Sequence, residues 1–304
     1  MFVNKTKVTY VIIKGISEAP ELQIPIFLLV LLIYLITLGG NMTIFILVCL
    51  DRHLHTPMYF FLANLSIVDM SCSTVALYRI FVNFITKDNR EQFLECMIQS
   101  YIFGSLSSHE LFILTVMSCD RYVAICNPLN YHMVMNINTC VIMASFCWIF
   151  GFVQSIPFSV LMANISCYST NEINHFHCDL GPVMEIACSD ISTLKALCII
   201  QGIIVYVIIP YSLTFISYVF IIITILKIRS NTGRRKAFYT CSSHLTVVIL
   251  LYITLISQYN IPNNSLDSTK LLSLFNTAIV PMLNPILYSL KNKDVKSALR
   301  RRLG

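Results

Sequence analysis

The sequence predicts an all-α membrane protein: a bundle of seven transmembrane helices with a short amphipathic helix at its C-terminal end. Three observations predict it. Of the 304 residues, 56% are hydrophobic and only 12% charged, a balance foreign to ordinary soluble globules. Seven runs almost free of charge, each able to supply the roughly 20 helical residues that cross a bilayer, occur at 24–50, 58–78, 97–119, 139–163, 196–226, 238–259 and 271–290. None alternates apolar with polar residues, so the backbone must satisfy itself in lipid as helices rather than as barrel strands.

Taken in order, residues 1–23 are a polar tail without the compact apolar stretch of a secretory signal, so the first span itself is expected to direct insertion. Asn4-Lys5-Thr6 in this tail is a glycosylation sequon. The first span carries Asn41, the second Asp69, the third Glu110 and the seventh Asn284. An acid left unpaired in lipid costs about 2–4 kcal/mol, so these four should face one another inside the bundle. The third span runs into Met117-Ser118-Cys119-Asp120-Arg121-Tyr122-Val123-Ala124-Ile125-Cys126. There Arg121 can reach headgroup water in one state and a protein partner in another.

Between the fourth and fifth spans, residues 164–195 form a long connection with no clear period, which suggests a lid over the bundle's mouth. In the seventh span Pro285 removes a backbone hydrogen bond beside Asn284 and Tyr288, making a weak point. Residues 292–300, within the tail 291–304, read as an amphipathic helix lying on lipid headgroups. No internal repeat or low-complexity tract divides the chain, so 1–304 counts as one domain.

Orientation follows from charge. With the N terminus outside, the inside segments hold 13 Lys and Arg and 3 acids, against 8 and 10 outside. The basic face is therefore cytoplasmic, and anionic lipids with an intracellular protein account for the net charge of +6 without nucleic acid. Of twelve cysteines, Cys96, Cys167, Cys178 and Cys188 lie on the oxidising side, where three pairings are open.

Together these stretches resemble an olfactory receptor of the rhodopsin-like G-protein-coupled class. The resemblance rests on Gly40-Asn41, the run 54–62 (LHTPMYFFL), Leu65-Ser66-Ile67-Val68-Asp69, the decapeptide above, Ser217-Tyr218, the run 236–245 (KAFYTCSSHL) and the run 281–289 (PMLNPILYS). Ser118-Cys119, Tyr239 and Leu251-Tyr252-Ile253 depart from the usual pattern, the last replacing a glycine that would loosen the sixth span.

The resemblance implies an odorant receptor in the plasma membrane, N terminus outside, that couples a small-molecule odorant to a heterotrimeric stimulatory G protein and cyclic AMP. It implies that Asp120, Arg121, Tyr122, Tyr218, Asn284, Pro285 and Tyr288 form the switch, and that Asp69 and Glu110 bind sodium. It also implies the disulfides Cys96–Cys178 and Cys167–Cys188. Oxidised cysteine is no thiolate ligand, so His175-Phe176-His177-Cys178-Asp179 is not expected to hold a metal.

Helical spacing places Phe103, Gly104, Ser107, Ser108 and Leu111 on one face of the third span. Gly202, Ile203 and Tyr206, with Tyr252, Leu255, Ile256 and Tyr259, are expected opposite, making a mostly apolar pocket with a few hydroxyls. Residues 97–108 contain no Asp or Glu, so a charged amine would lack a counter-charge and a neutral ligand is expected. Two other function classes compete with this reading. A transporter or ion-coupled protein could use Asp69 and Glu110 as a proton or cation site, but the repeated, broken halves of transporters are missing. An intramembrane enzyme would need a nucleophile with its base, and only His109-Glu110 and His244 come near.

Overall fold

The computed structural model describes residues 8–260, 266–291 and 293–303, apart from the side chains at 207, 236, 240, 256, 258–260, 266–268, 289–291, 293 and 303. The Asn4 sequon lies outside them. Seven helices long and apolar enough to cross a membrane follow one another. The first is Pro20–Leu50, the second Pro57–Thr86, the third Phe93–Cys126, the fourth Ile137–Ala163 and the fifth Ser192–Lys227. The sixth is Asn231–Asn260, and the seventh begins at Leu266 and runs through a π-helical turn, Phe275–Ile279, to Val280–Lys291. A last helix, Lys293–Leu303, turns back under the bundle.

Several helices outrun the uncharged stretches that announced them, because a charge outside lipid is no obstacle to a helix. The second continues past residue 78 with Arg79 paired to Glu91 at 3.7 Å, and stops where Lys87 turns left-handed at φ 57°. The sixth starts among the bases that follow Asn231 rather than at residue 238. The third helix lies at the centre, packed on the second, fourth and fifth.

Prolines shape the fifth and seventh helices. Pro210 and Pro281 have no N–H to close the turn before them, and in each helix a π-helical turn, Gly202–Ile208 and Phe275–Ile279, comes just upstream. Carbonyls released by the seventh helix's prolines find donors elsewhere. Ser73 Oγ of the second helix donates to Thr277 O at 2.9 Å, and Asn41 Nδ2 of the first donates to Pro281 O at 3.1 Å. Gly40 lets that approach happen, since a Cβ there would lie 2.8 Å from Pro285 Cγ.

At the end carrying the tail, the expectation of a purely helical fold needs one addition. Three short strands, β1 (Tyr10–Ile13), β2 (Arg90–Gln92) and β3 (Glu172–Ile173), form a sheet in the order β2-β1-β3. β1 runs antiparallel to β2 and parallel to β3, burying Val11 and Ile13 while Tyr10 stays exposed. Strands this short carry too little alternation to be read from sequence. The 164–191 connection also contains a short helix, Leu180–Glu185.

Candidate functional site

Polar side chains gather in three layers along the bundle. In the layer nearest the tail, Cys96–Cys178 fastens the 164–191 connection to the first turn of the third helix, and Cys167–Cys188 closes that connection on itself. Gln99 accepts from the Cys178 N–H at 2.9 Å and donates to Val75 O at 2.7 Å, joining lid, second helix and third helix through one side chain. The lid drives His175, Phe176 and His177 into the mouth, 2%, 1% and 0% exposed. Burial pushes both imidazoles down to about 3, His175 being further disfavoured as a cation by His177, so both are neutral. Cys178 is oxidised, and among the described residues no group of three or more His, Cys, Asp or Glu could hold a metal ion.

Beneath the lid the expected ligand face divides. Phe103 meets His177 edge-on, 4.8 Å between ring centroids. The hydroxyls of Ser108 and Tyr206 lie 2.5 Å apart. Gln154 of the fourth helix donates to Ser108, to Ser155 Oγ at 2.9 Å and to the Tyr206 hydroxyl at 3.1 Å. Tyr206 stands on the π-helical turn of the fifth helix. Gly104 adjoins this cluster, a Cβ there lying 3.7 Å from Ser155 Oγ. Ser107 turns instead toward Cys72, 4.0 Å from its sulfur. Leu111, Tyr252 and Leu255 pack into the main apolar core, and Tyr252 sets its ring edge-on to Tyr211 at 5.5 Å. Gly202 and Ile203 are not brought to the cluster: nothing lies within 4 Å of a Cβ at 202, and Ile203 is 51% exposed on the outward face. The side chains of Ile256 and Tyr259 lie outside the described residues. Gln154 escaped sequence reasoning, the only signal being an amide inside an apolar span.

In the middle layer, Asn41, Asp69, Glu110 and Asn284 are all buried. Asn284 Nδ2 donates to Asp69 Oδ2 at 2.9 Å. Asn41 is engaged with Pro281 rather than with the acids. Asp69 Oδ1, Glu110 Oε1 and Asn284 Oδ1 are buried with no hydrogen-bond partner among the described residues. An all-oxygen set with two carboxyls suits a hard cation, and it equally suits a proton held between the acids.

At the basic end, Asp120 is buried and accepts from the Tyr131 hydroxyl at 2.8 Å. Arg121 is half-buried, and Tyr122 lies edge-on to Phe220 at 6.0 Å. The Tyr218 hydroxyl is 2.6 Å from His244 Nδ1, while His244 Nε2 is 3.1 Å from Leu114 O. One imidazole thus latches the sixth helix to the fifth and third. Pro285 lies against Gly40 of the first helix. The sequence offers His244 within a motif and as a buried base; its latching role depends on partners that sequence does not reveal. The last helix is anchored by Arg301, 2.6 Å from Asp51, whose carboxyl is held well below the usual range chiefly by that hydrogen bond.

The family model described as olfactory receptor matches residues 30–304. The chain is 44% identical to olfactory receptor 8G50 of Mus musculus, covering 98% of this chain and 96% of that one. It is 44% identical to olfactory receptor 5L1 of Homo sapiens over 99% and 97%, and 41% identical to olfactory receptor 8J3 of Homo sapiens over 98% and 95%.

Proposed function

The chain belongs to the olfactory receptor family, and from that premise we propose that it binds a small, neutral, mostly apolar odorant beneath the 164–191 lid and activates a heterotrimeric stimulatory G protein, raising cyclic AMP. It is a multi-pass membrane receptor and not an enzyme. The observation that carries the coupling is Arg121, half-buried near the end of the third helix, which the Tyr218–His244–Leu114 latch ties to the fifth and sixth helices. When that latch opens, the sixth helix is released from the third and the guanidinium becomes available to an incoming protein. Charge supports a plasma-membrane protein with its N terminus outside, because the basic end then faces the anionic inner leaflet.

Neutral ligands are favoured because residues 97–108 of the third helix offer no carboxylate, and about 25 cal/mol per Å² of apolar burial supplies the affinity. Ser108, Gln154 and Tyr206 supply direction. We read the middle layer as a sodium site in which Asp69, Glu110 and Asn284 would hold the ion through their buried oxygens. Asp69→Asn should then abolish any sodium dependence of signalling; dependence that survives would refute the ion site.

Cyclic AMP in cells expressing the chain with the olfactory G protein, screened against a volatile library, tests the main reading. A response lost in Arg121→Ala at matched surface level supports it. A response that persists in that variant overturns the role of Arg121.

A further inference from the structure

The last helix, Lys293–Leu303, divides its residues between bundle and water. Val295 and Ala298 are buried in the main apolar core. Lys296, Ser297, Arg300 and Arg301 are exposed. Ser297 stands three residues before Arg300 and four before Arg301, so one turn of helix brings the hydroxyl and both guanidinium groups onto the same face.

Three contacts hold this helix to the bundle. Arg301 donates from Nε and Nη2 to Asp51 Oδ2, at 3.1 and 2.6 Å. Arg302 Nη2 donates to Leu50 O at 2.6 Å, and the Tyr59 hydroxyl donates to Asp294 Oδ2 at 3.2 Å. Asp51 is 6% exposed, and its other oxygen accepts from the His53 N–H at 3.0 Å and lies 2.9 Å from the His53 ring. Arg301 is thus the permanent cation on a buried carboxylate, and drawing it away leaves that charge poorly compensated.

The surroundings of Ser297 are strongly basic. Lys296 precedes it directly, and Arg300, Arg301 and Arg302 follow within five residues. An acidic kinase cleft is steered to an exposed hydroxyl in such a field. With 11 residues, the helix is below the length of roughly 12–15 at which a helix persists alone, so it can open into the extended form a kinase takes.

We infer that Ser297 is a phosphorylation site for a base-directed kinase, and that its phosphate draws Arg301 off Asp51 and releases the last helix from the bundle. The transfer is balanced by ATP: the bond from Ser297 Oγ to the γ-phosphorus forms as the bond to the departing ADP oxygen breaks, and the hydroxyl proton passes to the kinase's base. The phosphate carries a charge of about −1.5 to −2, more than Asp51 offers. It lies N-terminal to Arg301 at i,i+4, the favourable order for an acid and a base on one helix. Asp294, three residues before Ser297, is repelled by the same phosphate, which weakens the contact with Tyr59. In cells the inference rests on the proposed orientation, with the basic end in the cytoplasm.

The test uses the purified full chain in phosphatidylcholine nanodiscs, which expose both faces, so its outcome is independent of that orientation. The chain is treated with ATP and the catalytic fragment of protein kinase C, and phosphopeptides are mapped. Phosphate is expected on Ser297 and is lost in Ser297→Ala. Amide hydrogen exchange over 295–303 should then be at least about fivefold faster in the phosphorylated chain. Asp51→Asn and Arg301→Gln, which break the same pair from either side, should each speed exchange without phosphate and leave phosphorylation little to add. Phosphate found only on other residues overturns the site. Unchanged exchange on phosphorylation, or an increase as large in both variants as in the parent chain, overturns the release of Arg301.

Discussion

In the third helix 67% of the most apolar stretch is buried in protein, whereas in the fifth the share is 6%, although the fifth is the more apolar of the two. A soluble protein would do the reverse. Lipid tails are as apolar as leucine, so the hydrophobic effect does not choose between a lipid-facing and a protein-facing position. What draws a helix inward is polarity. The third helix buries Ser105, Ser108, His109, Glu110, Thr115, Ser118 and Asp120. The fifth leaves Ile203, Phe215, Ile216 and Ile222 exposed, and buries polar groups only where it touches its neighbours.

The contrast can be broken most strongly at the third helix's anchor. Removing Cys96–Cys178 with paired Ala substitutions should lower stability by about 2–5 kcal/mol, read as a fall in the thermal midpoint of the purified receptor and in its surface level. Next comes the contact with the fourth helix. A Cβ at Gly151 would sit 2.7 Å from Ser105 O, so Gly151→Val should cost about 1–3 kcal/mol by overpacking in the same assay.

The lid over the third helix has a pH signature. His175 and His177 fall from an ordinary 6.5 to about 3, so only the unfolded chain takes up protons between those values. Stability is therefore full above pH 6.5 and is lost as pH falls, by at most about 2 kcal/mol per histidine at pH 5. His177→Leu should flatten the dependence of the thermal midpoint on pH between 7 and 5; an unchanged slope would show that His177 does not titrate on unfolding.

At the basic end, Tyr218→Phe removes one latch bond worth about 1 kcal/mol, which should raise basal cyclic AMP by about fivefold at matched surface level. Ile216→Ala on the outward face of the fifth helix should change stability by less than about 0.5 kcal/mol. A loss as large as that of Gly151→Val would mean that this face packs against protein, and the contrast between the two helices would fail.

Much of this was legible beforehand. The seven spans were visible as charge-poor runs, and Asp69 and Asn284 were expected to meet, as they do. The short sheet was not legible, nor were Gln154 beside Ser108 and Tyr206 or the His244 latch. Helical periodicity tells which residues share a face of one helix, as with Phe103, Gly104 and Ser108, but not which neighbour that face meets. It therefore grouped Ser107 with Ser108, whereas the fold turns one toward the second helix and the other toward the fifth. Ile203 was similarly assigned inward, while the fifth helix turns it outward.

The sequence by itself determined the helices, because in a bilayer every backbone N–H and C=O must be satisfied within its own segment, and that demand is local. It also determined where the demand fails, at prolines inside the spans, Pro157, Pro210, Pro281 and Pro285 among them. Only the tertiary structure decided how the seventh helix's failures are repaired. The donors to Thr277 O and Pro281 O are Ser73 and Asn41, 204 and 240 residues away along the chain. Nothing local selects them; they are chosen by which helices come to lie side by side, and Gly40 shows that the choice can turn on the space of one methyl group.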